Sequence, residues 1–380
     1  CCILVPTAGD LYGLSGMWLV MALMGAVQGP MFPTSSVFLA KWMPKASPGK
    51  PDEKAWGTSM LDIGISIGSL FIIPVVTWLA EAFGWRNTFR AIGAASLGFV
   101  LLWIILAAST PDQCWFISKE ELEYLNHHLN SKPETNGAKT SANGKTSANK
   151  SKPSQGKSTL IGMPYAVALH RGLWAVYGCH IAFNFSAYYL TNWSPTYYKE
   201  VLGLSPNQAK YHLMCPHISN LIAKSCVPFL STLIASRGYT LLASRRAFTC
   251  WGYLAAAVVL LPVYALRSLN PWVSTCLFSL ANTFFGFAPS GFKSNYLDIT
   301  EDYVGIIAGY GNTLGTVSSV VGPKLTAWTL EHTDQNWYVV LATVSGVTVL
   351  AAANYAINVT VEPIEKLVAL RRDMTDKKSN

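Results

Sequence analysis

"SGFKSNYLDITEDYVGIIAGYGNTLGTVSSVVGP", Ser290 to Pro323, joins two different kinds of chain. Its first half sets Lys293, Asn295, Tyr296 and Asp298 within six positions, directly after the oily run "STCLFSLANTFFGFAP". Its second half runs from Val304 to Val321 with no charged side chain and with glycines at 305, 309, 311 and 315. Soluble helices seldom alternate in this way. A helix that leaves lipid, turns through the polar interface and re-enters lipid must do so, because about 20 apolar residues span the hydrocarbon layer.

The rest of the chain follows the same pattern. Of its 380 residues 51% are hydrophobic and 13% are charged, against about a quarter charged in soluble domains. Hydropathy predicts an apolar stub followed by nine spans, at 15–43, 57–81, 87–108, 172–198, 207–235, 244–266, 270–293, 303–328 and 336–360. Internal Gly and Pro are tolerated in such helices, where neighbours satisfy the freed backbone groups. Between the third and fourth spans "ISKEELEYLNHHL" reads as a short amphipathic surface helix. The Ser-, Asn-, Gly- and Lys-rich stretch after it buries too little to fold and reads as a disordered linker.

The net charge of +8 follows membrane topology rather than nucleic acid, since the aromatic residues sit in apolar runs and not among the basic ones. With loops assigned alternately to two sides, 21 Lys and Arg fall on the linker side and 5 on the other. Without the long linker the split is still 13 to 5. Linker and C-terminus are therefore expected in the cytoplasm. The eight cysteines show no metal or disulfide spacing and read as small hydrophobes within helices. None of the sequons at Asn149, Asn184, Asn192 and Asn358 reads as glycosylated, because they fall in or beside apolar segments or in the linker.

Three spans, a linker and six spans suggest that two and a half spans are missing in front of Cys1. The halves echo each other faintly. Gly57, Gly68 and Pro74 find counterparts in Gly305, Gly315 and Pro323, as in transporters built from repeats.

Several motifs then resemble one family. "LVMALMGAVQGPMFPTSSVFLAKWMP" resembles the fourth span of the anion:cation symporters of the major facilitator superfamily, which include sodium/phosphate cotransporters, sialin and vesicular glutamate transporters. "LTNWSPTYYKEVLGLSPNQA" is similar to the seventh span and its following loop, with the plant plastid phosphate transporters nearest. "SRGYTLLASRRA" resembles the turn after the eighth span, and the opening stretch resembles the tenth-to-eleventh signature. The resemblance implies an all-α membrane protein of two six-helix halves with the first two and a half helices absent here. Residues 1–108 would form a partial N-terminal half, 109–167 the cytoplasmic linker, 168–362 the C-terminal half and 363–380 a cytoplasmic tail. It also implies secondary active transport of inorganic phosphate or organic anions by alternating access, coupled to Na⁺ or H⁺. A non-transporting sensor or truncated relic on the same fold is the alternative. An enzyme is not expected, since no Ser/His/Asp, HExxH, GxGxxG or P-loop pattern is credibly placed. We expect a monomer in a bilayer (plastid envelope, other organelle or plasma membrane) that binds a small anion, with no nucleic acid, metal or cofactor beyond the coupling ion.

An anion in a bilayer centre needs positive charge or many donors. The family's span-four Arg is Met21 here, and Gln28 stands where relatives have Glu or Gln. Gln28 can donate to an anion but cannot carry a proton. In span eight His217, Asn220 and Lys224 share a helical face. Lys224 either meets the anion or snorkels to the headgroups, and His217 either lines the site or caps a carbonyl. In span seven His180, Asn184, Tyr188 and Thr191 form a row that lines a wet cavity or makes interhelical hydrogen bonds. Asn184 and Tyr188 are the site candidates there, and Asn312, matching the family's NT step, is the candidate from span eleven, with plain packing as its alternative. Asp62 takes up a proton or a cation, or is a solvated or gate-paired carboxylate. Asp298 of the DI motif has lost the family's Arg four residues on, where Asp302 stands, so Arg237, Arg245 and Arg246 become its candidate gate partners. Lys293 reads as interfacial, as do Lys324 and Glu331.

Overall fold

The computed structural model describes residues 1–44, 52–130, 159–160 and 162–370. The expected disordered linker falls almost wholly outside the described residues, as does the end of the C-terminal tail. Helices α1 (Leu4–Gln28), α2 (Met31–Trp42) and α3 (Glu53–Leu106) make the first part. The short α4 (Lys119–Asn130) and α5 (Tyr165–Ala168) follow. The second part comprises α6 (Arg171–Glu200), α7 (Pro206–Ser236), α8 (Leu241–Arg246), α9 (Gly252–Leu260), α10 (Pro271–Asn295), α11 (Val304–His332) and α12 (Trp337–Asn358). A π-helical stretch, Ala247–Trp251, joins α8 to α9. The strands Thr159–Leu160 and Met163–Pro164 have two residues each.

Two glycines divide the long helices where the spans were expected to end. Gly13 (φ 62°) breaks α1, setting a stub apart from the span that follows. Gly84 (φ 74°) breaks α3 between its two spans. Both positions need the left-handed region that only glycine enters without strain. Among the described residues six helices are long and apolar enough to cross a membrane. α6 and α10, with 30 and 25 residues, have the length but more polar sequences. They sit inside the bundle, where lipid does not select for apolarity, and they contribute much of its buried core, with Cys179, Tyr189, Phe285 and Phe292 among it.

The outer surface is strongly apolar, as expected of a chain whose solvent is lipid. Leu97 and the continuous run from Phe99 to Leu106 are exposed, as are Leu11, Trp18 and Leu19 on α1. A soluble protein rarely exposes so large an apolar patch. Close packing of α6 on α11 needs room that glycine supplies. A Cβ at Gly315 would collide with the Asn184 amide, and one at Gly311 would collide with the Tyr296 hydroxyl.

At the end of the bundle where the linker attaches, four buried charges bind the two parts together. Asp52 and Lys54 open α3, Arg245 lies at the end of α8, and Asp298 follows α10. Arg245 Nε donates to Asp298 Oδ2 at 2.8 Å, and its Nη1 and Nη2 hold the Asp52 carboxylate. Lys54 Nζ donates to Asp298 Oδ1 at 2.9 Å and to the Leu297 carbonyl at 2.6 Å. The side chains are 0 to 7% exposed. Two cations against two anions leave the cluster neutral. Burial alone would raise the Asp298 carboxyl, but Arg245 and Lys54 outweigh it and hold it below the ordinary aspartate value. Because that value is depressed, the stabilisation is fully present above the unfolded value of about 3.9, declines below it and is lost as pH falls through the folded one.

The surface helix expected from "ISKEELEYLNHHL" is α4, and it docks beside this cluster. The Tyr124 hydroxyl donates to Glu53 Oε1 at 2.5 Å, a bond that pushes the phenol up to about 12.

Asp298→Asn leaves Arg245 and Lys54 short of a buried counter-charge and should cost about 3–5 kcal/mol. Thermal unfolding in detergent, followed by size exclusion, should show a clearly lowered midpoint at neutral pH. At about pH 3, near the ordinary aspartate value, the difference from the parent chain should shrink. Gly315→Val should unfold the α6–α11 contact and depress the yield of monodisperse protein. Gly64→Ala, at a position with open space, should leave it unchanged.

Candidate functional site

One face of α3 carries Lys54, Thr58, Asp62 and Ser66 at a spacing of four, and Ser59 lies beside it. From Lys54 to Ser66 this stripe rises about 18 Å into the bundle at 1.5 Å per residue. Lys54, Ser59, Asp62 and Ser66 each meet the C-terminal part. Lys54 belongs to the buried charge cluster, and Ser59 Oγ lies 3.2 Å from Ser290 Oγ. Lys293 Nζ donates to Asp62 Oδ1 at 2.8 Å, and Lys224 Nζ donates to Ser66 Oγ at 2.9 Å. Ser66 Oγ in turn donates to the Asp62 main-chain carbonyl at 2.9 Å.

The deeper two rungs form the candidate site. The side chains of Asp62 and Lys293 are 9% and 13% exposed, and Lys224 is half-buried. Lys224 interacts electrostatically with both Asp62 and Lys293. Among the described residues two ammonium groups thus face one carboxylate, a surplus of one positive charge. The wall of the site is aromatic. The Lys293 ammonium stands 5.0 Å from the Phe183 ring centre, within cation–π range. Buried His180, its Nδ1 3.0 Å from the Tyr296 hydroxyl, packs on Phe32 and Phe292. Surplus cationic charge on largely buried side chains, with hydrogen-bond donors, is an arrangement that can receive a small anion.

The interfacial reading of Lys293 is corrected. α10 ends at Asn295, but its last turn faces α3 rather than the headgroups. The long stem of Lys293, pointing back along the helix as helical side chains do, reaches Asp62 inside. Asp62 accordingly occurs as a paired carboxylate. Lys224 does not snorkel outward, since Ser66 on α3 holds its ammonium.

The other expected residues scatter. Asn220 is turned to α10, where its Nδ2 donates to the Asn282 carbonyl at 2.8 Å. His217 is exposed on α7. Asn184 is half-buried against Gly315, while Tyr188, one turn further from the linker side, is 48% exposed. Asn312 lines a separate cleft of about 600 Å³ between α11 and the α1–α2 junction, with Pro30, Pro33 and Thr316. Gln28 is exposed at the end of α1, near that cleft but not at the lysines. Asp298 pairs with Arg245. Arg237, exposed at the C-cap of α7, stands outside the cluster. Asp52 and Lys54 went unnoticed in the sequence because they look like ordinary loop charges. The four-residue spacing from Lys54 to Ser66 was the signal that could have found the stripe.

Comparisons with known proteins agree with this architecture. The sequence profile described as "Major Facilitator Superfamily" matches residues 1–323. Sodium-dependent phosphate transport protein 1, chloroplastic, of Arabidopsis thaliana is 24% identical over 331 residues, covering 87% of this chain and 58% of that protein. Sialin of Homo sapiens is 26% identical over 349 residues, covering 91% and 64%. Ascorbate transporter, chloroplastic, of Arabidopsis thaliana is 24% identical, covering 87% and 55%. The chain thus spans about three fifths of the length of the curated relatives it matches. Among solved structures, the proton:xylose symporter XylE bound to 6-bromo-6-deoxy-D-glucose superposes with a TM-score of 0.53 at 15% identity, covering 87% of this chain and 70% of that one. That likeness concerns the fold alone. A profile match over most of the sequence, a helical bundle joined across two parts and a lipid-facing apolar surface lead to one conclusion: this chain belongs to the major facilitator superfamily.

Proposed function

We propose that the protein is a secondary active transporter of small anions, inorganic phosphate or an organic anion, working by alternating access with Na⁺ or H⁺ as the coupling ion. The observation that carries this reading is the pair Lys224 and Lys293 facing the single carboxylate of Asp62 between the two parts of the bundle. A lone charged residue at the centre of a membrane helix costs about 2.5–3.5 kcal/mol on insertion scales. Two lysines retained at such a depth, with only one acid between them, suit a ligand that brings the missing negative charge. The relatives point the same way, since their names include phosphate, ascorbate and anion transport.

Alternating access needs one end closed while the other is open. The neutral cluster of Asp52, Lys54, Arg245 and Asp298 serves as the closed gate at the linker end. Toward the opposite end exposure rises along one face of α6, from buried His180 through half-buried Asn184 to exposed Tyr188 and Thr191. The basic bias of the linker-side loops favours placing that side and the C-terminus in the cytoplasm. The similarity to chloroplast proteins favours a plastid envelope among the membranes considered.

Counterflow in proteoliposomes with radiolabelled phosphate, ascorbate and glutamate, under Na⁺ or pH gradients, should show saturable uptake of at least one of them. Uptake of none would refute anion transport by this chain. Lys224→Ala should lower uptake at least tenfold, about 1.4 kcal/mol of lost binding, with normal membrane expression. Unchanged uptake would remove Lys224 from the site.

A further inference from the structure

We propose that the site selects a singly charged organic anion carried on a flat ring, over inorganic phosphate and over amino-acid anions, and that Phe183 is the residue that makes the selection. This rests on the anion-transport reading above and names the substrate class of the same site.

The wall beside the lysines supplies the flat surface. Phe183 lies on α6, and its ring centre is 5.0 Å from the Lys293 ammonium. Against it stands Phe292 of α10, fully buried, with the two ring centres 5.8 Å apart. Phe292 is backed in turn by His180 at 5.7 Å, and His180 is fixed by the Tyr296 hydroxyl. Phe183 is the half-buried member of this packed series of rings. Part of its surface is therefore left for a ligand that reaches the lysines. An aromatic or conjugated ring laid on that surface, offset-stacked or edge-to-face, gains attraction beyond the area it covers. A saturated ring of similar size gains the area alone.

The charges set the valence. Lys293 is paired with Asp62 at 2.8 Å, whereas Lys224 is held by the neutral hydroxyl of Ser66 at 2.9 Å. With the Lys293–Asp62 pair kept intact, the uncompensated charge is that of Lys224, which interacts electrostatically with both members of the pair. One negative charge on the ligand balances these groups. A second leaves an excess among largely buried side chains, where an unbalanced charge is costly. A phosphate group is largely divalent at neutral pH, and it has no apolar face for Phe183. An amino-acid anion such as glutamate brings an ammonium group towards Lys224 and Lys293, and juxtaposed like charges are costly as well. A carboxylate or enolate on a flat ring has the single charge for Lys224 and the face for Phe183.

The test is calorimetric binding to the purified chain in detergent at neutral pH, with the sodium salts of benzoate, ascorbate, cyclohexanecarboxylate, phosphate and glutamate. Benzoate and ascorbate should bind about tenfold tighter than phosphate or glutamate, or more. Benzoate should also bind tighter than cyclohexanecarboxylate, its saturated counterpart, although the latter is the more apolar. Phe183→Leu keeps an apolar side chain and removes the ring. It should weaken benzoate by about two- to tenfold, so that the ratio of benzoate to cyclohexanecarboxylate affinity falls to about one. Phe183→Tyr should keep the ratio of the parent chain and show that the fold tolerates the position. Phosphate or glutamate bound as tightly as the ring-bearing anions, or benzoate bound no tighter than cyclohexanecarboxylate, would overturn the selection and leave anion transport standing. A ratio unchanged in Phe183→Leu, even with both affinities lowered, would make Phe183 a packing residue and overturn its role. Binding of none of these anions would instead bring down the anion reading of the site, and the selection with it.

Discussion

Everything else in the bundle depends on charge kept away from both water and lipid at the contact between its two parts. Arg245 is fully buried, and Asp52, Lys54 and Asp298 close around it. Each of these groups would be unaffordable alone. Together they are neutral and hydrogen-bonded, and they tie the start of α3 to the turn after α10. Lipid supplies no hydrophobic force to hold helices together, so packing and polar contacts must do it.

Because that contact closes the linker end, the polar stripe of α3 is carried inward along the C-terminal part. The stripe changes character with depth. At its entrance cations and anions balance, and further in they do not. The surplus charge arises because Lys224 and Lys293 come from different helices and meet a helix that offers one acid. The same helix face thus carries a neutral cluster and, about three turns further in, an imbalance of charge.

Much of this architecture was legible in the sequence. Spans ended where apolar runs met glycine, proline or charge, and Gly13 and Gly84 mark two of those breaks. Composition excluded a soluble globule, and the order of motifs named the family. The Asp298–Arg245 ion pair was also among the expected pairings, because Asp302 stands where the resembling family places the local partner of Asp298. Arg237 had the same credentials but ends its helix in the open.

The sequence by itself determined the solvent and the family, because those depend on local hydrophobicity and on residues close together in the chain. Only the tertiary structure decided which charges meet. Asp62 and Lys293 are 231 positions apart, Lys54 and Asp298 are 244, and Ser66 and Lys224 are 158. No local pattern carries such pairings. Whether Lys293 points to headgroups or to Asp62 depends on how the last turn of α10 is rotated against α3, and packing between helices sets that rotation.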